Sequence, residues 1–402
     1  MMKLFMVMMV VMGGWVGEWG VMANGEVSVV QGDNVKPFEL LCKIYNVAQN
    51  PPIKPVDIKE YQKIVDDINA LRAAANGKEG VNTQTEASRS AQTQLIGISQ
   101  EAHKLLDEIK KANPEGEAEK ARNTFNKVIF GKNGEYGGLC HGALKGVEEK
   151  RITACGEPSE SKKGTSAGKN LILDFFCLCA QHNLPDEGID NVCGVSVGSG
   201  DGAGWGTKLQ LADIMCGEVK KGCERFAKQG VTSTQDGYSL YHKFLAKVKA
   251  GGKVKVNNSE SFQKPGMLGT AVSATVNSNF HCNGKKTVST SRTNFGSGSG
   301  VCIFYGNQNW KENIDWLEKF KEGLQLIDKL NTETASWQHQ LTTLLNRARE
   351  LYEKVKAESQ LEEENTDDSP LAQHPNPDEN ENTDTATQSQ RHSLLAWALL
   401  LQ

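Results

Sequence analysis

Apolar residues recur every three or four positions along three stretches of the chain, the spacing that lines one face of a helix. In the first, Ile58, Tyr61, Val65, Ile68, Leu71 and Ala75 predict a helix that ends at Asn76-Gly77. A second opens near Thr83 and carries Ala91, Leu95, Ile98, Ala102, Leu105, Ile109 and Ala112 before Asn113-Pro114. Proline removes a backbone donor and pushes its predecessor off helical geometry, so this helix should stop there. The third ladder is the longest: Trp316, Phe320, Gly323, Ile327, Leu330, Thr334, Trp337, Leu341, Leu344, Ala348, Leu351 and Val355, with only Gly323 and Thr334 breaking the apolar rule. At about 1.5 Å per residue it makes a rod near 60 Å long. A heptad seam of that length must pack along other helices, within the chain or between copies of it.

Between the ladders the pattern changes. Residues 131–310 hold nine of the ten cysteines and 29 of the 40 glycines. Short apolar runs such as Leu171 to Ala180 and Val301 to Tyr305 sit among glycine-rich turns, including Gly198 to Gly206 and Gly296 to Gly300. The fold class is therefore mainly α: an elongated scaffold of long antiparallel helices in coiled-coil fashion, bearing a disulfide-pinned head of loops and short strands. Gly- and Ser-rich loop tips held at their bases tolerate sequence change with little loss of core stability.

Charge and the two ends alter this picture. The net charge of −4 over 402 residues gives no overall basic footprint for nucleic acid. It is unevenly spread, since residues 357–384 contain ten Asp or Glu and no Lys or Arg. Removing those ten and the single Arg391 leaves +5 on residues 24–356, because Lys3 and Glu18 cancel. With Pro370, Pro375 and Pro377 nearby, the acidic strip reads as a solvated, self-repelling, disordered linker. At the start, Lys3, the apolar run Leu4 to Met12 and Val21-Met22-Ala23 read as a secretory signal peptide cleaved before Asn24. At the other end, the small residues Asp384-Thr385-Ala386, a polar spacer and the apolar tail Leu394 to Leu401 read as a glycosylphosphatidylinositol (GPI) anchor signal. Asp384 is the first choice for the lipid-bearing residue and Asn382 the second. The resulting division is 1–23 signal peptide, 24–356 folded domain, 357–384 linker and 385–402 anchor signal.

Ten cysteines outlast this processing: Cys42, Cys140, Cys155, Cys177, Cys179, Cys193, Cys216, Cys223, Cys282 and Cys302. An even number in a secreted chain reads as a disulfide framework whose connectivity the sequence leaves open. Cys177-Leu178-Cys179 is too tight for a zinc site, and the two should bond to different partners. No metal or cofactor is expected, since no Cys-x2-Cys pair is present and the eight His do not fall at finger spacings. Asn257-Asn258-Ser259 is a sequon that places a glycan on Asn257, in an exposed loop. Gly194-Val195-Ser196-Val197-Gly198 fits the pattern of a hydrolase nucleophile elbow, with His281 downstream. That elbow needs a strand before the serine and a helix directly after it. A loop precedes Ser196 and more glycines come after it, so the chain is read as a non-enzyme.

A delivery signal, a lipid anchor, long helices and a disulfide-pinned head without a convincing active site point to a protein that presents a surface. The combination resembles the variant surface glycoproteins of African trypanosomes, those with the B-type N-terminal domain. Phe38-Glu39-Leu40-Leu41-Cys42, Phe175-Phe176-Cys177-Leu178-Cys179-Ala180, Cys193-Gly194, His281-Cys282-Asn283-Gly284 and Gly300-Val301-Cys302-Ile303-Phe304-Tyr305-Gly306 carry the likeness, in that order. It implies self-association as homodimer or homotrimer and a dense coat on the outer leaflet of the plasma membrane. It also implies antigenic variation that defeats host antibodies, with no catalytic residues. Many members have a cysteine-bearing C-terminal domain, whereas no cysteine is found after Cys302 here, so the acidic strip should join the last helix directly to the anchor. A nutrient receptor of the same surface superfamily, binding a host serum protein, is the alternative. Phospholipase C should release the protein from cells, and mass spectrometry of the released form should find an ethanolamine-capped C-terminal peptide ending at Asp384.

Overall fold

In the computed structural model, residues 27–366 are described apart from 77–84, 133–139, 145–146, 148–149, 185, 199–201, 228–232, 258 and 289–296. The helices are α1 (Val35–Gln49), α2 (Ile58–Asn76), α3 (Glu86–Ala112), α4 (Pro114–Phe130), the short α5 (His141–Leu144) and α6 (Arg151–Cys155), α7 (Leu171–Cys179), α8 (Ala212–Glu224), α9 (Thr234–Ala250), the short α10 (Trp310–Asn313) and α11 (Asp315–Thr366). The 52 residues of α11 span about 78 Å. Its predicted ladder is buried throughout, except that Trp337 is half-buried.

Side-chain bonds fix how the long helices run. Gln62 accepts from Lys110, Asn69 pairs with His103, and the Gln92 amide donates to the carbonyl of Ala75. These pairs make α2 and α3 an antiparallel hairpin. At the start of α3, the Thr85 hydroxyl caps the helix by accepting from the Ser88 amide and also donates to Glu358 near the far end of α11. Further on, Phe125 of α4 meets Phe320 of α11 edge to face, ring centroids 5.8 Å apart. The residue numbers of both pairs sum to nearly the same value, so α3 and α4 run antiparallel to α11 as one interrupted rod.

The sequence places a stop at Asn113-Pro114, but in the structure a new helix begins there at once. Asn113 adopts left-handed geometry (φ 49°), ends α3, and its side chain accepts from the Gly116 amide to start α4. Proline is well placed in a first helical turn, where its missing donor has no intrahelical partner to lose. The signal read as a terminus is thus a joint.

The apolar core divides at the same level. Val65, Ile68, Leu95, Ile98, Ala102, Ile109, Leu341 and Ala348 belong to a core shared by α2, α3 and the second half of α11. A larger core includes Phe38 of α1, Phe125 of α4, the whole apolar run of α7, and Trp316, Phe320 and Ile327 at the start of α11. Between the two lies a polar belt. Asn331 accepts from the Lys54 amide and donates to the Pro52 carbonyl, tying the α1–α2 connector to α11, while the Thr334 hydroxyl returns to the Leu330 carbonyl. Thr334 breaks the apolar ladder because it falls in this belt. Gly323 breaks it for another reason, since a Cβ there would lie 2.6 Å from the Phe125 ring.

The head holds more regular structure than the loops and short strands read from the sequence. Strands β1 (Gly156–Glu157) and β2 (Lys162–Lys163) pair, as do β3 (Gly204–Trp205) and β4 (Leu209–Gln210). The main sheet contains β5 (Gly252–Val256), β6 (Ser259–Lys264), β7 (Met267–Ser273) and β8 (Ser299–Phe304) in the order β6-β5-β7-β8. β5 is antiparallel to β6 but parallel to β7, because the chain returns across β5 after the hairpin. Helices α8 and α9 come between β4 and β5 in the chain. Dense glycine hid them: their apolar faces are short, and Gly217, Gly222 and Gly237 interrupt them.

One boundary moves. Helix α11 continues beyond the expected end at Lys356 to Thr366, into the strip read as disordered. Ala357, Gln360, Leu361 and Glu362 to Glu364 are all strong helix formers, and this local preference prevails over like-charge repulsion. Asn257 stands in the turn between β5 and β6, half-buried rather than in an open loop. Residues 1–23, the remainder of the strip, Asn382, Asp384 and the tail lie outside the described residues. Among the described residues, no helix is long and apolar enough to cross a membrane.

Replacing Gly323 with Leu should destabilise the protein by about 1–3 kcal/mol in denaturant unfolding through overpacking against Phe125. Gly97 of α3, which has open space around it, provides the contrast: Gly97→Ala should stabilise by up to about 1 kcal/mol.

Candidate functional site

The ten cysteines form five disulfides: Cys42–Cys223, Cys140–Cys216, Cys155–Cys177, Cys179–Cys193 and Cys282–Cys302. Cys177 and Cys179 do take different partners. Every bridge lies in the larger core, and Cys42 of α1 ties that helix to the head. Each contributes on the order of 2–5 kcal/mol, so the region with the most loop is the one most strongly cross-linked.

Helix α7 is the centre of this head, and every one of its side chains is buried. The Asn170 side chain caps it by accepting from the Leu173 amide. In its first turn sits Asp174, a carboxylate inside an otherwise apolar run. Its Oδ2 accepts from the Tyr305 hydroxyl at 2.7 Å and the Trp316 indole at 2.6 Å, and Oδ1 accepts from the Gly168 amide at 2.9 Å. Trp316 belongs to the first turn of α11, and its own amide donates to the Gly168 carbonyl. Asp174 therefore fastens head to rod.

At the other end of α7, fully buried Arg151 donates to the carbonyls of Phe176, Cys177, Ala180 and Trp205 at 2.6–3.2 Å. Burial lowers its pKa to about 9, so the guanidinium stays charged at neutral pH. Burial also pushes Asp174 up to about 7, although its three donors and Lys163 pull it down. Tyr305 is driven well above its ordinary value by burial and by Asp174. The spacing of apolar residues could not disclose these two charges. The only available signal for Asp174 was a lone acid within LILDFFCLCA.

The nucleophile-elbow residues do not assemble a triad. Ser196 donates to Asp190 at 2.6 Å, while the His281 ring pairs with Ser297 at 3.1 Å and approaches Glu157 at 3.3 Å. No strand precedes Ser196 and no helix comes directly after it. His182 is buried beneath the same surface, where its Nδ1 accepts from the Leu184 amide. Burial, with Arg151 nearby, lowers its pKa to about 4.

At the sequon, Asn257 Oδ1 accepts from the Val27 amide at 2.8 Å, which holds the first described residues against the β5–β6 turn. A sugar on Nδ2 would leave that bond in place. The outer face of the head also exposes Leu184, Leu211, Ile214 and Val276. What this arrangement offers is a surface on a rigid frame: side chains that can change freely above a core closed by disulfides and buried charges.

Comparison with known protein families gives a match to the trypanosomal VSG (variant surface glycoprotein) domain over residues 72–339, about two thirds of the chain. No curated protein matches it. The matched segment runs from the end of α2 through the whole head and past the polar belt of α11.

Asp174→Ala strands three buried donors and should cost about 3–5 kcal/mol, whereas Asp174→Asn keeps an acceptor and should cost less. The folded state raises the Asp174 pKa above its unfolded value, so its native form binds the proton more readily. The stability it contributes is present below about pH 4 and declines as pH rises toward 7. His182 has the opposite sign, since its lowered pKa gives stability that is present above about pH 6.5 and lost as pH falls toward 4. Unfolding curves at several pH values should show the alkaline-going loss in the wild type and not in Asp174→Asn.

Proposed function

The chain belongs to the trypanosomal VSG domain family, a family of surface-coat proteins, and from that membership we propose that it is a GPI-anchored glycoprotein forming a dense protective monolayer on the parasite. In this reading the mature chain stands on lipid attached at Asp384, with Asn382 as the second choice, and carries a glycan on Asn257. Copies associate through their helices, as dimer or trimer. Antigenic variation results when one such coat protein is exchanged for another, and host antibodies raised against the first no longer recognise the second.

The family match is the observation that carries the reading, and three features of the chain support it. Long helices stand upright on little membrane area, so many copies fit side by side. Disulfides and buried charge fix the head from within, which leaves its outer side chains free to differ between versions. The acidic stretch after the helix, by its hydration and charge, keeps the folded part off the bilayer. Secretory entry through residues 1–23 and removal of 385–402 complete the route to the outer leaflet.

Surface labelling with and without phospholipase C tests this proposal. A coat protein should be present in millions of copies per cell and be released by the lipase, whereas thousands of copies would favour a receptor for a host serum protein. Asn257→Gln should lower the mass of the secreted protein by one glycan while leaving the fold intact, and an unchanged mass would remove the glycan from the proposal.

A further inference from the structure

Glu157, Glu160 and His281 bring three potential ligand atoms within 4.8 Å of one another. More than a hundred residues separate the carboxylates from the imidazole, so no spacing motif could reveal the group. We propose that these residues bind a divalent cation of the zinc class, at a position that the ammonium of Lys162 covers in the present conformation.

The frame around the three is rigid on both sides. Glu157 and Glu160 lie on the β1 segment and the turn after it, two and five residues beyond Cys155, which is bridged to Cys177. His281 directly precedes Cys282, bridged to Cys302. The Cys282 amide donates to the Gly156 carbonyl at 3.0 Å. Ser159 Oγ accepts from the Phe280 amide at 3.0 Å and lies 2.9 Å from the Phe280 carbonyl. The two donor-bearing segments are therefore stapled to each other beside the site, the preorganisation a metal centre needs.

The ring is also turned as a ligand would be. His281 Nε2 pairs with the Ser297 hydroxyl, an outer partner of the kind that orients the ring of metal-binding histidines. Nδ1 then faces the carboxylates, buried and without a hydrogen-bond partner, 3.3 Å from Glu157 Oε2. With a proton on Nδ1 the two atoms attract directly; with Nδ1 bare, a cation between them takes the place of that proton. Ligands about 2.1 Å from a tetrahedral zinc stand about 3.4 Å apart, so this pair already has the required spacing. Glu160, on a partly exposed side chain, closes the third edge by a rotamer change.

Lys162 marks the cation position. Its Nζ lies 2.5 Å from Glu160 Oε2 and 3.7 Å from Glu157 Oε1, on a side chain 62% exposed and free to swing into water. One imidazole with two carboxylates suits zinc better than calcium or magnesium, with water completing the coordination. A bound ion would link the β1 segment to residues 280–282 as a further clasp beside the disulfides. This site does not depend on the coat reading.

The full chain, with its disulfides formed and first freed of metal by a chelator, is titrated calorimetrically with zinc chloride alone and, separately, with calcium chloride. One zinc ion per chain is expected, with calcium giving no comparable heat. Glu160→Gln, a surface change that leaves the fold intact, should weaken zinc binding by about tenfold or more, and His281→Gln should do the same if it folds. Lys162→Ala removes the competing charge and should tighten binding by about tenfold. Absence of zinc uptake by both the wild type and Lys162→Ala overturns the proposal. So does uptake that is indifferent to Glu160→Gln and Lys162→Ala, because zinc would then be held elsewhere.

Discussion

A short helix with no side chain exposed must have both ends of its dipole answered inside the protein. Helix α7 meets this constraint with a carboxyl group in its first turn and a cation on its last carbonyls, Asp174 and Arg151. Asp174 accepts from Gly168, Tyr305 and Trp316, and Arg151 donates to four carbonyls through its terminal nitrogens while its buried Nε has no partner. Much else is arranged around that solution. Asp174 draws in the indole of Trp316, which sets where α11 leaves the head, and Tyr305, which sets the end of β8. Arg151 gathers the carbonyls of the chain just beyond α7 and of β3. The disulfides at Cys177 and Cys179 then hold the same helix from two sides. A carboxyl group and a guanidinium at opposite ends of the helix match its dipole without a direct salt bridge between them.

The rod was legible in the sequence because a long helix repeats its signal. Each turn of α11 restates the apolar stripe, so Gly323 and Thr334 stand out as interruptions, and the structure gives each a cause in Phe125 and in the polar belt. At Asn113-Pro114 the helix ends where local rules place its stop, and those rules say nothing of the helix that begins next. The head was poorly legible for the opposite reason. Its elements are short and glycine-rich, and its organising contacts join residues far apart in the chain: Asp174 to Trp316, Ser159 to Phe280, Asn257 to Val27. Cysteine counting foresaw a disulfide framework and could not pair it. The Glu157, Glu160 and His281 group belongs with these, formed by folding and invisible to spacing.

Two cores solve two different problems in one chain. The bundle of α2, α3 and α11 contains no disulfide and relies on apolar burial, with polar bonds such as Asn69 to His103 fixing the register. The head has less repetitive packing and relies on covalent links. Substitution on the outside of the head touches neither source of stability. That separation lets a surface vary while the frame beneath it stays the same.

Helix α11 is also the last part of the described chain to be synthesised. Both cores need it: Trp316, Phe320 and Ile327 complete one, and Leu341, Leu344 and Ala348 complete the other. During synthesis the apolar stripes of α2, α3 and α4 must wait some two hundred residues for their partner. Assembly is therefore governed by contacts that are distant in sequence, which favours slow folding and a long exposure of sticky surface. A chain interrupted before Asp315 would lack side chains that both cores share. Until α11 is made, the apolar stripes of α2, α3 and α4 that it covers stay exposed, so the last helix is the one that closes both cores.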